Sequence, residues 1–325
     1  MDQVTFVIAT YQRADVLRCT LESLRLQKHE SWDAIVVGDC CDEKTESMLR
    51  SIGDPRIAYY NLPQRFGEQS GPNSVGLALA EGNLVTFLNH DDLLLPDHIS
   101  YGLDCIAETG ADFFIGKAAN TTKIENARPV FTDTLPRSTD LRRLLLPPLY
   151  AFDPSSFWLI KTEYARKVGH WRSARTLFRT PLGDWLLRAW NLGGSFVFGE
   201  RITGMRFRTH YLRTDRPLYE NHSPEHETIL ERLRSEFLED IRADVVRQIE
   251  AHGGAEQPEK HLLLRSIAAG FYGTVGFDVV PLLVRLRGGK GSILRRIAKQ
   301  RTGADLPEPP DINELIANAE SFRIL

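Results

Sequence analysis

Leu84-Val85-Thr86-Phe87-Leu88-Asn89-His90-Asp91-Asp92-Leu93-Leu94-Leu95-Pro96-Asp97 is the stretch on which the reading of this chain turns. An apolar and β-branched run without a charge reads as a strand buried on both faces. It ends in an amide, an imidazole and two carboxylates, which such a strand delivers to the edge of its sheet. Oxygen ligands at that position suit a hard divalent cation that in turn grips a diphosphate. Two aspartates after a strand also suit a plain turn, so the surrounding chain has to decide.

Upstream, Val4–Ala9 and Ala34–Val37 read as further buried strands and Arg56–Tyr60 as a third. Between them Leu17, Leu21 and Leu24 recur at helical spacing, predicting a helix over 14–27, and Thr45–Ile52 predicts a short one. Ser74–Ala80 is helical with Gly82-Asn83 as its stop. Downstream come a helix near 97–109 and a strand at Asp112–Ile115. Strands alternating with helices over short loops imply a mostly parallel sheet with helices on both faces, an α/β fold. Ligands in such sheets collect beyond the carboxyl ends of the strands. Thr10 and Tyr11, Asp39, and Asn89–Asp92 all fall at those ends, which points to a nucleotide.

Other classes drop out. The turn after the first strand, Thr10-Tyr11-Gln12-Arg13, has no glycine, so the dinucleotide fingerprint is missing, and no Gly-Lys-Ser or Gly-Lys-Thr marks a P-loop. The 325 residues carry a formal net charge of −3, which gives no basic field for nucleic acid. Cys19, Cys40, Cys41 and Cys105 have no metal-ligand spacing and suggest a reducing compartment. No charged leader with an apolar core and no spanning run appears, so a cytoplasmic protein is expected, soluble or peripheral on the inner face of the membrane.

Val4–Tyr11, Val36-Val37-Gly38-Asp39, Phe87–Asp92 and Pro96-Asp97 resemble, in order and spacing, the signature blocks of the inverting family-two glycosyltransferases. The resemblance implies a GT-A fold acting on nucleotide-diphosphate sugars. It places Ala9, Thr10 and Tyr11 around the nucleobase and Asp39 on the base or ribose. Asp39 also fits a cap ahead of Thr45. The Asp-x-Asp motif maps onto Asn89-His90-Asp91, so Asp91 is the implied ligand of Mn²⁺ or Mg²⁺ and His90 lies near the ribose or diphosphate. Asn89 removes one negative charge from the motif, and Pro72 stands where relatives often carry an arginine.

Asp184, in Pro181-Leu182-Gly183-Asp184-Trp185, resembles the Asp of the family's Glu-Asp-Trp block and is the implied base for the acceptor hydroxyl. It fits equally as the N-cap of the following helix. Trp158, Trp171 and Trp185 are candidates for sugar stacking, though such residues are more often core. His210 is a further implied metal or phosphate contact, with Arg206, Arg208 and Arg213 near it. Ser223-Pro224 starts a helix whose apolar residues Ile229, Leu233, Phe237, Ile241, Val245 and Ile249 carry it to about 251. A second helix covers 259–272. An apolar-then-basic segment at 279–301 suits peripheral contact with anionic lipid, residues 305–310 read as a linker, and a short tail helix follows.

The expected organisation is a nucleotide-sugar-binding half at 1–117, an acceptor-binding half at 118–215 and a helical C-terminal extension at 216–325. The expected function is metal-dependent inverting transfer from a nucleotide-sugar donor, a UDP-sugar first, to a saccharide or lipid-linked acceptor in cell-surface polysaccharide synthesis. A homodimer stays open. Two alternatives stay open as well. A sugar-nucleotide pyrophosphorylase expects a glycine-rich basic loop after the first strand. A non-catalytic carbohydrate- or nucleotide-binding scaffold would account for Asn89, Pro72 and Gly183.

Overall fold

The computed structural model describes residues 2–125, 128–145, 154–207, 223–252 and 305–325, together with Leu282 and Arg295. The N-terminal region alternates β1 (Val4–Thr10), α1 (Ala14–Arg25), β2 (Trp32–Gly38), α2 (Glu43–Ile52), β3 (Ile57–Asn61), α3 (Ser70–Leu79) and β4 (Leu84–Asn89). The four strands pair in parallel in the order β3-β2-β1-β4. Phe6 and Ile8 of β1 enter one apolar cluster with Leu17 and Leu21 of α1, whereas Val7 enters another, on the opposite face. Strands covered on both sides need an apolar residue at every position, which is why they read as continuous runs.

Past β4 come β5 (Asp92–Leu94), α4 (His98–Thr109), β6 (Phe113–Glu125), β7 (Arg128–Leu135) and α5 (Leu141–Leu145). A 3₁₀ turn (Ser155–Phe157) leads to β8 (Trp158–Lys161), α6 (Thr162–Val168), α7 (Pro181–Asn191) and β9 (Phe196–Phe207). The sheet continues β4-β8-β6-β9-β5, with β7 added to β6. β8 is antiparallel to both β4 and β6, so β6 and β9 point the same way as β1 to β4; β5, β7 and β8 run against them. The result is a largely parallel α/β sheet whose carboxyl ends share one rim.

Trp158, Trp171 and Trp185 are fully buried, packed with Phe87 and Phe113 beneath the sheet. Trp185 stacks on Trp158 at 6.1 Å and on Trp171 at 5.7 Å between ring centres. The sugar-stacking expectation is thereby replaced by a core role.

Two helices, α8 (Pro224–Ser235) and α9 (Leu238–Ala251), stand where one long helix was expected. Glu236 is extended and Phe237 is 83% exposed at the break. Apolar residues repeating every fourth position drift about 40° around a helix per repeat. One straight helix therefore cannot keep all six on one face. After the break, Ile241 and Val245 return to the same apolar cluster as Ile229 and Leu233.

The chain returns at 305–325 through α10 (Ile312–Ala317) and a 3₁₀ turn (Ala319–Phe322). Leu315 and Ala319 are buried with Ile35, Val37, Phe66 and Val75. Tyr59 of β3 exchanges backbone hydrogen bonds with Ile324 (2.8 Å) and Leu325 (3.2 Å). The expected helix 259–272 and all of 279–301 except Leu282 and Arg295 lie outside the described residues. Among those described, no helix is long and apolar enough to cross a membrane.

Candidate functional site

Three strands end at one cavity of about 190 Å³. β1 contributes Ala9, Thr10 and Tyr11, the turn after β2 contributes Asp39, and the end of β4 contributes Asn89, His90 and Asp91. Every residue assigned from sequence to the nucleotide, and the implied metal ligand Asp91, thus meets at one place. The remaining wall is Arg65, Gly67, Glu68 and Gln69, from the segment that leads into α3, and Pro72 in its first turn.

Asp39 does not cap α2; Asp42 does, accepting from the Lys44 N–H at 3.2 Å. Asp39 instead accepts the backbone N–H of Phe66 at 2.5 Å and of Gly67 at 2.8 Å, and so shapes the cavity wall. Burial holds its carboxyl above the usual carboxylate range against those two bonds. The Arg65 guanidinium lies 3.9 Å over the Tyr11 ring, forming a flat cation–π pair at the rim.

The acid motif is wired on both sides. His90 Nδ1 meets the Thr10 hydroxyl at 3.0 Å and Nε2 lies 3.4 Å from Arg13 Nη1. An arginine only donates, so this geometry assigns the proton to Nδ1. The same Nη1 donates to Asp91 at 3.0 Å. Gln12 and Arg13 are both left-handed, with φ of 54° and 62°, an uncommon conformation for residues other than glycine. That twist turns the buried Arg13 side chain back under the β4 end. From the other side, the buried His226 ring donates Nε2–H to the Asp91 carbonyl at 2.9 Å, and burial keeps its basicity below the ordinary value.

Asn89 explains its own departure from an aspartate. Its amide donates to Asp92 at 3.0 Å and to the Ser156 hydroxyl at 2.8 Å, while Ser156 donates to Asp92 at 2.5 Å. Burial, reinforced by the charge of Asp91, pushes the Asp92 carboxyl up to about 6. A carboxylate at 89 would face that buried acid directly. Asp92 therefore anchors the turn, leaving Asp91 facing the cavity.

Asp91 is the described side chain best placed to offer a hard oxygen ligand. Both oxygens of Asp39 are taken by N–H groups, and Glu68 accepts from Ser70 N–H (2.8 Å), the Ser70 hydroxyl (2.7 Å) and Ala174 N–H (3.1 Å). Among the described residues, no three His, Cys, Asp or Glu side chains converge on a common metal position. Asp91, paired with Arg13, is the carboxylate at the cavity that could offer an oxygen to a cation held mainly by other ligands. His210, Arg208 and Arg213 lie outside the described residues. Arg206 Nη1 donates to the Asn120 side-chain amide oxygen Oδ1 at 3.2 Å.

Asp184 is not among the cavity-lining residues. Thr180, not Asp184, caps α7, accepting from Gly183 N–H at 3.1 Å. Asp184 sits in the first turn with Arg188 Nε at 2.9 Å and Arg172 Nη1 at 3.6 Å. The Ser70 hydroxyl lies between Glu68 (2.7 Å) and the Arg172 carbonyl (2.9 Å), which brings this ion pair next to the cavity edge.

Arg13, Arg65, Gly67, Glu68 and Gln69 are wall and support residues that sequence reasoning missed. Glu68 is partly buried, and desolvation pushes its carboxyl up to about 7. Its signal was position: Arg65-Phe66-Gly67-Glu68 follows β3, at the same sheet edge as the other cavity-lining turns.

A largely parallel sheet with a cavity at the ends of β1, β2 and β4 defines an α/β fold of GT-A type. The family model described as "Glycosyl transferase family 2" matches residues 5–169, half of the chain, and the protein belongs to that family. It is 30% identical over 112 residues to the succinoglycan biosynthesis protein ExoO of Rhizobium meliloti, covering 34% of this chain and 32% of ExoO. It is 31% identical over 105 residues to the Campylobacter jejuni GalNAc(5)-diNAcBac-PP-undecaprenol beta-1,3-glucosyltransferase, covering 31% and 33%. These matches span about a third of the relatives' length. Staphylococcus aureus TarS 1–349, solved with UDP-GlcNAc, superposes with a TM-score of 0.52 at 14% identity, covering 98% of this chain and 87% of TarS, a likeness of fold.

Proposed function

We propose that the protein transfers a sugar from a nucleotide-diphosphate donor, a UDP-sugar first, to a hydroxyl of a saccharide or lipid-linked acceptor, with inversion at the anomeric carbon. The observation that carries this is the meeting of Ala9–Tyr11, Asp39 and Asn89–Asp91 in one cavity. The relatives' roles in succinoglycan biosynthesis and undecaprenol-linked glucosyl transfer support acceptors of this class.

The β1 end and the Asp39-held wall seat the nucleoside, and Asp91 faces the diphosphate. A bound Mn²⁺ or Mg²⁺ supplies electrostatic stabilisation of the departing diphosphate. The acceptor oxygen bonds to the anomeric carbon as the bond from that carbon to the diphosphate breaks. The hydroxyl proton passes to the Asp184 carboxylate. Arg188 orients that carboxylate, and the more exposed Arg172 is the partner that gives way.

The Arg13–Asp91 ion pair favours one second reading, a site that binds nucleotide without turning it over. A thermal-shift screen of nucleotide-sugars, with and without Mn²⁺ or Mg²⁺, tests both. Metal-dependent stabilisation by one donor, followed by its hydrolysis or transfer, is expected. Stabilisation without turnover supports the second reading, and no stabilisation by any nucleotide-sugar overturns the proposal.

A further inference from the structure

Residues 306–308 lie against the outside of the cavity wall, and the contacts that hold them converge on Arg175. Its Nε donates to the Pro307 carbonyl at 2.9 Å and its Nη2 to the Leu306 carbonyl. Its Nη1 pairs with Glu308 at 3.2 Å. One planar fork thus engages three consecutive residues, a geometry that lysine cannot reproduce. Leu306 is buried beside it.

The Pro307 ring rests directly on Gly67, where a Cβ would run into its ring carbons. Gly67 also has a φ of +90°, so both the contact and the backbone exclude a side chain there. Gly67 belongs to the cavity wall and hangs from Asp39 by its N–H. Ala174, next to Arg175, donates its N–H to Glu68 in the same wall. A single turn of chain therefore grips the wall directly through Ala174 and clamps a strap over its back through Arg175. Leu315 and Ala319, buried against Phe66 and Val75, anchor the strap downstream.

We infer that Arg175 is a positioning residue for donor recognition: it latches residues 306–308 onto the back of Gly67 and fixes the wall that faces the nucleotide. The inference rests on the nucleotide reading proposed above. Arg175 is not itself a cavity-lining residue, so its loss weakens donor binding and leaves the chemical step in place.

UDP with Mn²⁺, titrated into the full chain by calorimetry, is the test, with UDP-sugar hydrolysis supplying KM and kcat. Arg175→Ala is expected to weaken UDP binding and raise the donor KM about tenfold, with kcat within about twofold. Arg175→Lys regains part of the loss. Pro307→Ala, which removes only the ring contact, shifts affinity the same way, and the double variant is no weaker than the worse single one because both act through one contact. Equal UDP affinity in wild type and Arg175→Ala overturns the inference. If Arg175→Ala does not fold, unchanged affinity in Pro307→Ala overturns it. Failure of the wild type to bind UDP is a different result and removes the nucleotide reading itself.

Discussion

A guanidinium 3.0 Å from the carboxylate that faces the cavity changes how that carboxylate should be probed. Asp91→Ala would leave the buried Arg13 without its counter-charge, a loss of about 3 kcal/mol or more when such a pair is broken. Asp91→Asn keeps an acceptor for Arg13. The expected outcome is a melting temperature near that of wild type with loss of the Mn²⁺-dependent gain in UDP affinity, read by calorimetry; a retained gain would remove Asp91 from the metal. For Asp184→Asn, Arg188 can still donate to the new side chain. Donor binding should persist while transfer falls by about 100-fold or more, as for loss of a general base. Product formation at the wild-type rate would exclude Asp184 as the base. Asp39, His90 and Asp91 were legible because each ends a buried strand. Arg13 was not, since neither glycine nor asparagine announces the left-handed turn that aims it.

Elements were legible in proportion to how their burial patterns the sequence. β1, β2 and β4 are continuous apolar runs. β7 alternates buried and half-exposed residues and begins Arg128-Pro129, and β5 is three residues hidden inside the acid motif; neither stands out from a loop. α4 begins at His98, which is fully buried with Nδ1 at 2.9 Å from the Thr203 hydroxyl. Burial pushes its imidazole down to about 3 from an ordinary value near 6.5. The folded protein thus refuses a proton that the unfolded chain accepts as pH falls below about 6.5, so stability drops with acid and is unaffected above that value. The slope approaches about 1.4 kcal/mol per pH unit. His98→Asn should flatten the fall in melting temperature between pH 7 and pH 5, and an unchanged profile would show that another group sets it.

Across the whole molecule, residues 305–325 close back on the parallel strands β2 and β3, an arrangement that a Pro-rich stretch and a short helix do not declare. Their last residues pair with Tyr59 on the outermost parallel strand, where an unpaired edge would invite other chains. Deleting residues 323–325 should cost about 1–3 kcal/mol from three backbone hydrogen bonds. It should also produce concentration-dependent association by light scattering. A monodisperse, equally stable product would show that the edge needs no cover.

The stacked indoles of residues 158, 171 and 185 have a practical consequence. They are three of the five tryptophans, none of which lines the cavity. Three of the five indoles therefore report on that buried layer. Emission should shift red sharply when the layer under the sheet melts and change little when a nucleotide arrives, so one optical signal isolates collapse of the scaffold from occupancy of its mouth.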